Sequence, residues 1–190
     1  MTAFDPEAVK PAPMYDIRDL LERSREPVEL DAVDRKLLEH LYEDARISQR
    51  SLAAKVGMSP PAVAERVARL ERAQVIRRHT IDVDWAAIGY PMLIVLPIKI
   101  SESANVLAVV TALQDIPELI EVMVLTGTYD MMARFRVRDH RHLQQLLLER
   151  IWPIPGLQRV ETMLSLGQIT NDSPLVRFFA TDETATTTGD

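Results

Sequence analysis

The chain has 190 residues, 47% of them hydrophobic and 26% charged, which suits one large domain or two small ones able to bury a core unaided. It has no cysteine, so disulfides, thiolate metal sites, iron–sulfur clusters and a cysteine nucleophile are excluded. The formal net charge of −6 argues against a nucleic-acid partner only until its distribution is read. Residues 1–30 carry four basic and seven acidic side chains, residues 31–90 ten and nine, and residues 91–190 eight and twelve, so the middle of the chain is slightly basic. A local basic stripe on an acidic protein still attracts phosphate over about one Debye length, ~8 Å at physiological salt.

The amino terminus, MTAFDPEAVKPAP, has acids and prolines where a secretory signal needs a basic end and an apolar run. The longest apolar stretch, PMLIVLPI at 91–98, is far short of the ~20 residues that span a bilayer. The expectation is a cytoplasmic protein. Residues 1–29 read as an arm interrupted by Pro6, Pro11 and Pro13, with YDIRDLLERSRE able to form a short helix. The last ten residues, TDETATTTGD, lack apolar content and read as the disordered end of a tail over 171–190.

From Leu30 to about Ala73 the periodicity is helical. Asp31 is the expected N-cap of a first helix, with Asp34 three residues on and Val33, Leu37, Leu38 and Leu41 forming its stripe. Ser48 caps a second helix, in which Leu52, Ala53 and Val56 face inward and which Gly57 ends. Ser59 caps a third. Its two prolines fit a first turn, where a missing N–H costs nothing. Val63, Val67 and Leu70 turn inward and Pro61, Ala62, Glu65, Arg66 and Arg69 outward. Two short helices joined by a tight glycine-containing turn, the second basic on its outer side, make a helix-turn-helix whose arginines meet DNA. An ordinary amphipathic helix with merely solvated arginines is the alternative for that stretch taken alone.

VIRRHTIDVD, residues 75–84, follows as a short strand pair or wing, with Arg77 and Arg78 where a backbone phosphate contact is expected. WAAIGY, residues 85–90, is a connector. From Pro91 the order is strand (MLIVLPIKI), helix (SANVLAVVTALQDI), two strands around Gly127, helix (HRHLQQLLLERIW) and a last strand (GLQRVETMLSL). That is a ferredoxin-like βαββαβ domain over 91–170. Its helices cover one face of the sheet. A first strand apolar on both sides does not tolerate an open second face, so a second subunit is expected there and the protein is at least a homodimer. The fold class is therefore α+β, a winged helix-turn-helix over 30–84 joined to a ferredoxin-like dimerisation domain, to which the resemblance given next adds ligand sensing.

The segment LDAVDRKLLEHLYEDARISQRSLAAKVGMSPPAVAERVARLERAQVIRRHTIDVD closely resembles the DNA-binding half of the Lrp/AsnC, or feast/famine, transcription regulators. LTGTYDMMARFRV is similar to that family's Gly-x-x-Asp turn in the sensing domain. The likeness runs from about residue 30 to 170, in order and spacing. It implies Gln49, Arg50 and Ser51 near phosphates, and Ser59, Pro61, Ala62, Glu65, Arg66 and Arg69 in the major groove of double-stranded DNA. It further implies an inverted-repeat operator, dimers that associate further (an octamer, for example), and an amino-acid effector at Gly127, Thr128, Tyr129 and Asp130. Met131 stands where the family commonly has an aromatic residue, and the 29-residue arm (residues 1–29) is longer than usual.

The turn has a plainer reading in which Gly127 supplies only backbone freedom and Asp130 only a turn bond. Arg134 and Arg136 alternate on one strand face, as salt-bridge partners of another subunit in preference to ligand clamps. No catalytic, metal or cofactor site is expected. The glycines at 57, 89, 127, 156, 167 and 189 build neither GxGxxG nor a P-loop, and G-x-S-x-G is absent. His140 and His142 lack the i, i+4 spacing of ligands on one helical face and read as surface histidines. Two alternatives stay open: an oligomeric small-molecule sensor acting through protein partners, and a sirohaem-decarboxylase-like enzyme, which the arginine-bearing helix argues against.

Overall fold

The computed structural model describes residues 26–169 and 174–186, with side chains to Ala180. The expected arm helix and the extreme end of the tail, residues 187–190, lie outside the described residues. The chain divides into two compact units, one containing Glu26–Val83 with the segment from Gln168, the other containing Asp84–Gly167.

The first unit holds α1 (Ala32–Glu43), α2 (Gln49–Val56), α3 (Pro60–Arg72) and a carboxy-terminal helix. Asp31 and Asp34 close a reciprocal capping box: Asp34 N–H donates to Asp31 Oδ1 at 2.8 Å and Asp31 N–H to Asp34 Oδ2 at 3.2 Å. Ser48 Oγ accepts from Ser51 N–H at 3.1 Å, and α2 ends on left-handed Gly57, φ 69°. Ser59 occupies the N-cap position of α3, but its hydroxyl makes no cap bond, contrary to expectation. Pro61, at the second helical position, removes one of the two N–H donors such an oxygen can serve, and only that of Ala62 is left. Leu37, Leu52, Ala53 and Val63 form the core, with Val33, Leu41, Ile47, Val56, Met58 and Val67 around it.

Helix α3 ends in a Schellman motif. Val75 N–H donates to Leu70 C=O and Gln74 N–H to Glu71 C=O, both at 2.9 Å. The left-handed position is held by Gln74, φ 58°, where glycine is usual. The strand pair expected over 75–84 does not form; the segment has no regular strand among the described residues. Nothing from Val75 to Ile81 is a turn residue, so the stretch cannot fold back on itself as a hairpin. The tail is also different from expectation. Residues Pro174–Thr186 form a helix that packs on α1, with Arg35 stacked on Phe179, 5.3 Å from guanidinium to ring centroid.

The second unit runs β1 (Met92–Ile100), α4 (Val106–Gln114), β2 (Leu119–Val124), β3 (Met131–Val137), α5 (His140–Gln145), β4 (Leu157–Val160) and β5 (Met163–Leu164); the carboxy-terminal helix Pro174–Thr186 is α6. The antiparallel sheet has order β2-β3-β1-β4, with β5 also on β1, which is the ferredoxin-like arrangement. Ile94, Leu96 and Ile98 alternate with Met131, Ala133 and Phe135 on one face and pack with Val109, Val110, Leu113, Leu146 and Ile151 from the helices. The second helix does not stay α-helical: Leu146–Ile151 is wound as a π-helix.

The single last strand expected is broken into β4 and β5. Ile98 faces Val160 and Val95 faces Met163, so the register is continuous across the gap. Pro97 lies between them. Its carbonyl accepts from Glu161 N–H at 3.0 Å, but its nitrogen has no hydrogen to return, and the ladder lapses there.

On the other face, pairing brings Val95, Pro97, Met123, Met132 and Met163 together, an apolar centre flanked by Lys99, Glu121, Arg134, Arg136 and Arg159. Among the described residues no α-helix of this unit packs there; the core residues on those helices all meet the opposite face. Arg134 is paired within the chain to Glu121 at 2.9 Å, and Arg136 stacks on Trp85 with its guanidinium 5.8 Å from the ring centroid. Neither therefore awaits another subunit for a partner, as the sequence had suggested.

Candidate functional site

The expected DNA-contacting residues fall on three stretches of the first unit. Gln49, Arg50 and Ser51 form the exposed first turn of α2. Ser51 Oγ lies 2.8 Å from Ser48 Oγ, so its hydroxyl is shared with the cap. Arg77 and Arg78 are exposed on the irregular segment after α3. Ser59, Pro61 and Glu65 are exposed on α3 and its cap, and Ala62 is half-buried.

Arg66 and Arg69 are placed otherwise than expected. Both side chains turn toward the amino end of α1. Arg66 Nη1 donates to Asp31 Oδ2 at 2.6 Å and to Asp34 Oδ1 at 2.9 Å, and Arg69 Nη2 donates to Asp34 Oδ2. Asp34 is 1% exposed and is the buried charged residue of the chain's described part. The N–H of Asp34 first, and the Arg66 guanidinium second, hold the Asp31 carboxyl below its ordinary pKa; the same pairing raises that of Arg66. These two arginines thus complete a charge cluster that ties α3 to α1. Sequence reasoning misses the cluster, because it credits Asp34 only as a cap residue. The position does carry a signal: residue 34 lies on the same stripe as Leu37, Leu38 and Leu41, and a carboxylate there needs a buried cation. Of the remaining α3 charges, Arg72 Nη2 donates to Glu65 Oε1 at 2.8 Å, and Glu71 meets His79 at 3.1 Å.

The expected effector turn lies between β2 and β3. Gly127 has φ 126°, a conformation L side chains avoid, and it is exposed with Thr126 and Thr128. Asp130 is anchored: Oδ2 accepts from Ile100 N–H and Oδ1 from Lys99 Nζ, both at 2.9 Å, while Asp130 N–H donates to Ile98 C=O. The Ile100 N–H, then the Lys99 ammonium, hold its pKa below the usual carboxylate value. Tyr129 donates its hydroxyl to Glu161, which raises the pKa of the phenol, and Glu161 is paired with Arg159. Lys99, Arg159 and Glu161 therefore join the four turn residues, and none of the three was expected.

His142, expected at the surface, is largely enclosed. Its Nδ1 accepts from Arg138 N–H at 3.2 Å and its Nε2 lies 2.9 Å from Glu118, so the neutral ring carries its proton on Nε2. Tyr90 packs edge-on against that ring and beneath Arg138. The connector is thus clamped to the sheet. Among the described residues no group of three or more His, Asp or Glu side chains could hold a metal ion, and no helix is long and apolar enough to cross a membrane.

Comparison with known proteins agrees with both units. Residues 30–71 match the AsnC-type helix-turn-helix domain and residues 94–175 the Lrp/AsnC ligand binding domain. The chain is 31% identical over 139 residues to the HTH-type transcriptional regulator FL11 of Pyrococcus horikoshii, covering 73% of this chain and 91% of that protein. It is 30% identical over 156 residues to the leucine-responsive regulatory protein of Escherichia coli, covering 81% and 95%. A transcriptional regulator of Neisseria meningitidis, solved as its L-Met complex, superposes with a TM-score of 0.74 at 21% identity, covering 79% of this chain and 99% of that one, a likeness of fold. A two-unit chain that follows an AsnC-type helix-turn-helix with this sheet, and shares nearly a third of its residues with such regulators over almost their whole length, belongs to the Lrp/AsnC family of DNA-binding, small-molecule-modulated transcriptional regulators.

Proposed function

We propose that the chain works in the cytoplasm as a homodimer that binds an inverted-repeat operator, placing α3 of each protomer in the major groove. The first turn of α2 and the Arg77–Arg78 pair lie along the backbone in this reading. The observation that carries it is α3 itself. Two prolines fix its start, one side rests on a packed core, and the opposite side exposes Pro61, Glu65 and Arg72, with Ala68 half-buried between them. A second subunit covers the apolar centre of the sheet at Val95, Pro97, Met132 and Met163, and dimers associate further, to an octamer in the form the family resemblance implies. No catalytic step belongs to this function.

The effector is an amino acid held at the turn Gly127–Asp130. The exposed N–H groups of the turn suit a carboxylate. The Asp130 carboxylate keeps lone pairs for an ammonium beyond the two bonds it already accepts. The L-Met complex of the Neisseria relative supports this at the level of fold.

The test is fluorescence anisotropy of the full chain on its own upstream DNA against scrambled DNA at physiological salt, repeated with a panel of amino acids. Preference for the cognate site by about 10³-fold or more, shifted by one of the panel, is expected. Equal weak binding to both sequences refutes the operator assignment. Sedimentation of Met132→Glu tests the dimer: the variant is expected to run as a monomer.

A further inference from the structure

We propose that Glu65, rather than Arg66 or Arg69, is the specificity-determining residue of α3, accepting a hydrogen bond from the exocyclic amine of a cytosine in each half-site. The inference rests on the DNA-binding reading above and deepens it.

Successive residues of a helix are about 100° apart. With Val63, Val67 and Leu70 marking the inward direction, Pro61, Glu65, Ala68 and Arg72 point away from the core. Arg66 and Arg69 lie on the flank that meets α1. The structure bears this out in exposure: the Glu65 side chain is 74% exposed and that of Arg66 29%. For Arg66 or Arg69 to read a base, it would have to leave Asp34, whose side chain is 2% exposed and would lose a counter-ion. Their geometry makes them positioning residues that fix α3 against α1.

Recognition helices contact base edges chiefly through their amino-terminal residues. Over the first turns of α3 the residues outside the core and the α1 clamp are Pro60, Pro61, Ala62, Ala64, Glu65 and Ala68. Glu65 alone among them has a hydrogen-bonding side chain. The Ser59 hydroxyl precedes the helix and both donates and accepts, so it discriminates poorly. A carboxylate only accepts. In the major groove guanine and the thymine carbonyl present acceptors that repel it. Adenine sets the N7 acceptor beside its amine, whereas the cytosine edge carries a donor alone. The alanines and prolines suit thymine methyl groups on either side. Arg72, 2.8 Å from Glu65 across two turns, cancels the charge that phosphates would otherwise repel during approach.

The experiment is selection from randomised duplexes by the full-length protein, run in parallel for wild type, Glu65→Gln, Glu65→Ala and Arg66→Lys. Wild type is expected to enrich a motif with an invariant cytosine at one position of each half-site. Glu65→Gln is expected to prefer adenine there by roughly tenfold, the order a single bidentate contact supplies. Glu65→Ala should accept any base at that position with the rest of the motif intact, and Arg66→Lys should keep the cytosine. Thermal midpoints equal to wild type establish that the Glu65 variants are folded, as their exposure requires. Glu65 variants that enrich the wild-type motif overturn the inference, as does a new base selected by Arg66→Lys. A wild-type protein that enriches no motif sinks the operator reading along with it.

Discussion

Truncating Asp34 to alanine removes the centre of the cluster that joins α1 to α3. Loss of one partner from a fully buried ion pair costs ~3–5 kcal/mol, because the other charge stays desolvated. The cost here is smaller, since the Arg66 and Arg69 side chains keep 29% and 42% exposure and water can reach them. Loss of half the capping box adds its own share. We expect ~2–3 kcal/mol of destabilisation in all, a large fraction of the roughly 5–15 kcal/mol typical of a domain. With a urea dependence of ~1–3 kcal/mol per molar, the midpoint should fall by about 1–2 M. Far-UV circular dichroism is weighted toward the first unit, which holds most of the helical residues. Trp85 and Trp152 both lie in the second unit, so tryptophan fluorescence serves as an internal control. The dichroism transition is expected to move well ahead of the fluorescence. A loss below ~0.5 kcal/mol would refute the clamp, since it would place the pair in the range of exposed salt bridges. The two arginines would then be available to DNA after all.

Other outcomes follow from single features. Gln74→Gly relieves a left-handed residue at ~1–2 kcal/mol against ~0.5–1 for glycine's freedom in the unfolded chain, so a small rise in melting temperature is expected; a fall would mean that the Gln74 side-chain bond to Glu71 C=O outweighs the strain. Gly156→Ala places a Cβ 2.7 Å from that of Ala104, at a backbone φ of 91°, and should cost at least ~2 kcal/mol in urea unfolding. Asp31 and Asp130 both have folded pKa values below the unfolded value of about 3.9. Their contribution is therefore complete above pH ~4 and lost as pH falls through the folded values. Urea midpoints measured from pH 6 downward should drop below ~4, and less steeply in Asp31→Asn and Asp130→Asn. An unchanged acid limb in both variants would contradict the assigned bonds.

Much of the fold was legible because it is written in local chemistry. Asp31, Ser48 and Gly57 do at the helix ends what their types do generally, and the change from helical period to apolar strand at Pro91 marks the second unit. What escaped needed tertiary information or a rule left unapplied. Pro97 belongs to the second kind: a proline in the middle of MLIVLPIKI announces a lapsed ladder bond, and β4 breaks where it falls. Gln74 belongs to the first, since a left-handed glutamine looks like any other. The strand pair after α3 does not form because no residue from Val75 to Ile81 turns the chain back. In the candidate site, residue identities were easier to find than their loyalties. Arg66 and Asp130 were singled out; the place of Asp34 on an apolar stripe says that it needs a cation but not which one, and nothing local reveals that Lys99 holds Asp130.

Those loyalties alter how the molecule behaves among bulk DNA. Counted along the chain, α3 and the segment after it look like a magnet for phosphate. Counted in space, Arg66, Arg69 and Arg72 are spoken for, and the cations near the expected interface without an ion pair among the described residues are Arg50, Lys55, Arg77 and Arg78. Four such charges set a ceiling of about −3 to −4 per subunit on the slope of log affinity against log salt. In the proposed dimer the two subunits together reach a slope of about −7, so affinity for any DNA falls steeply as salt rises. What separates an operator from random sequence must then come from groups that carry no spare charge, through base edges and duplex shape and not through additional phosphate pairs.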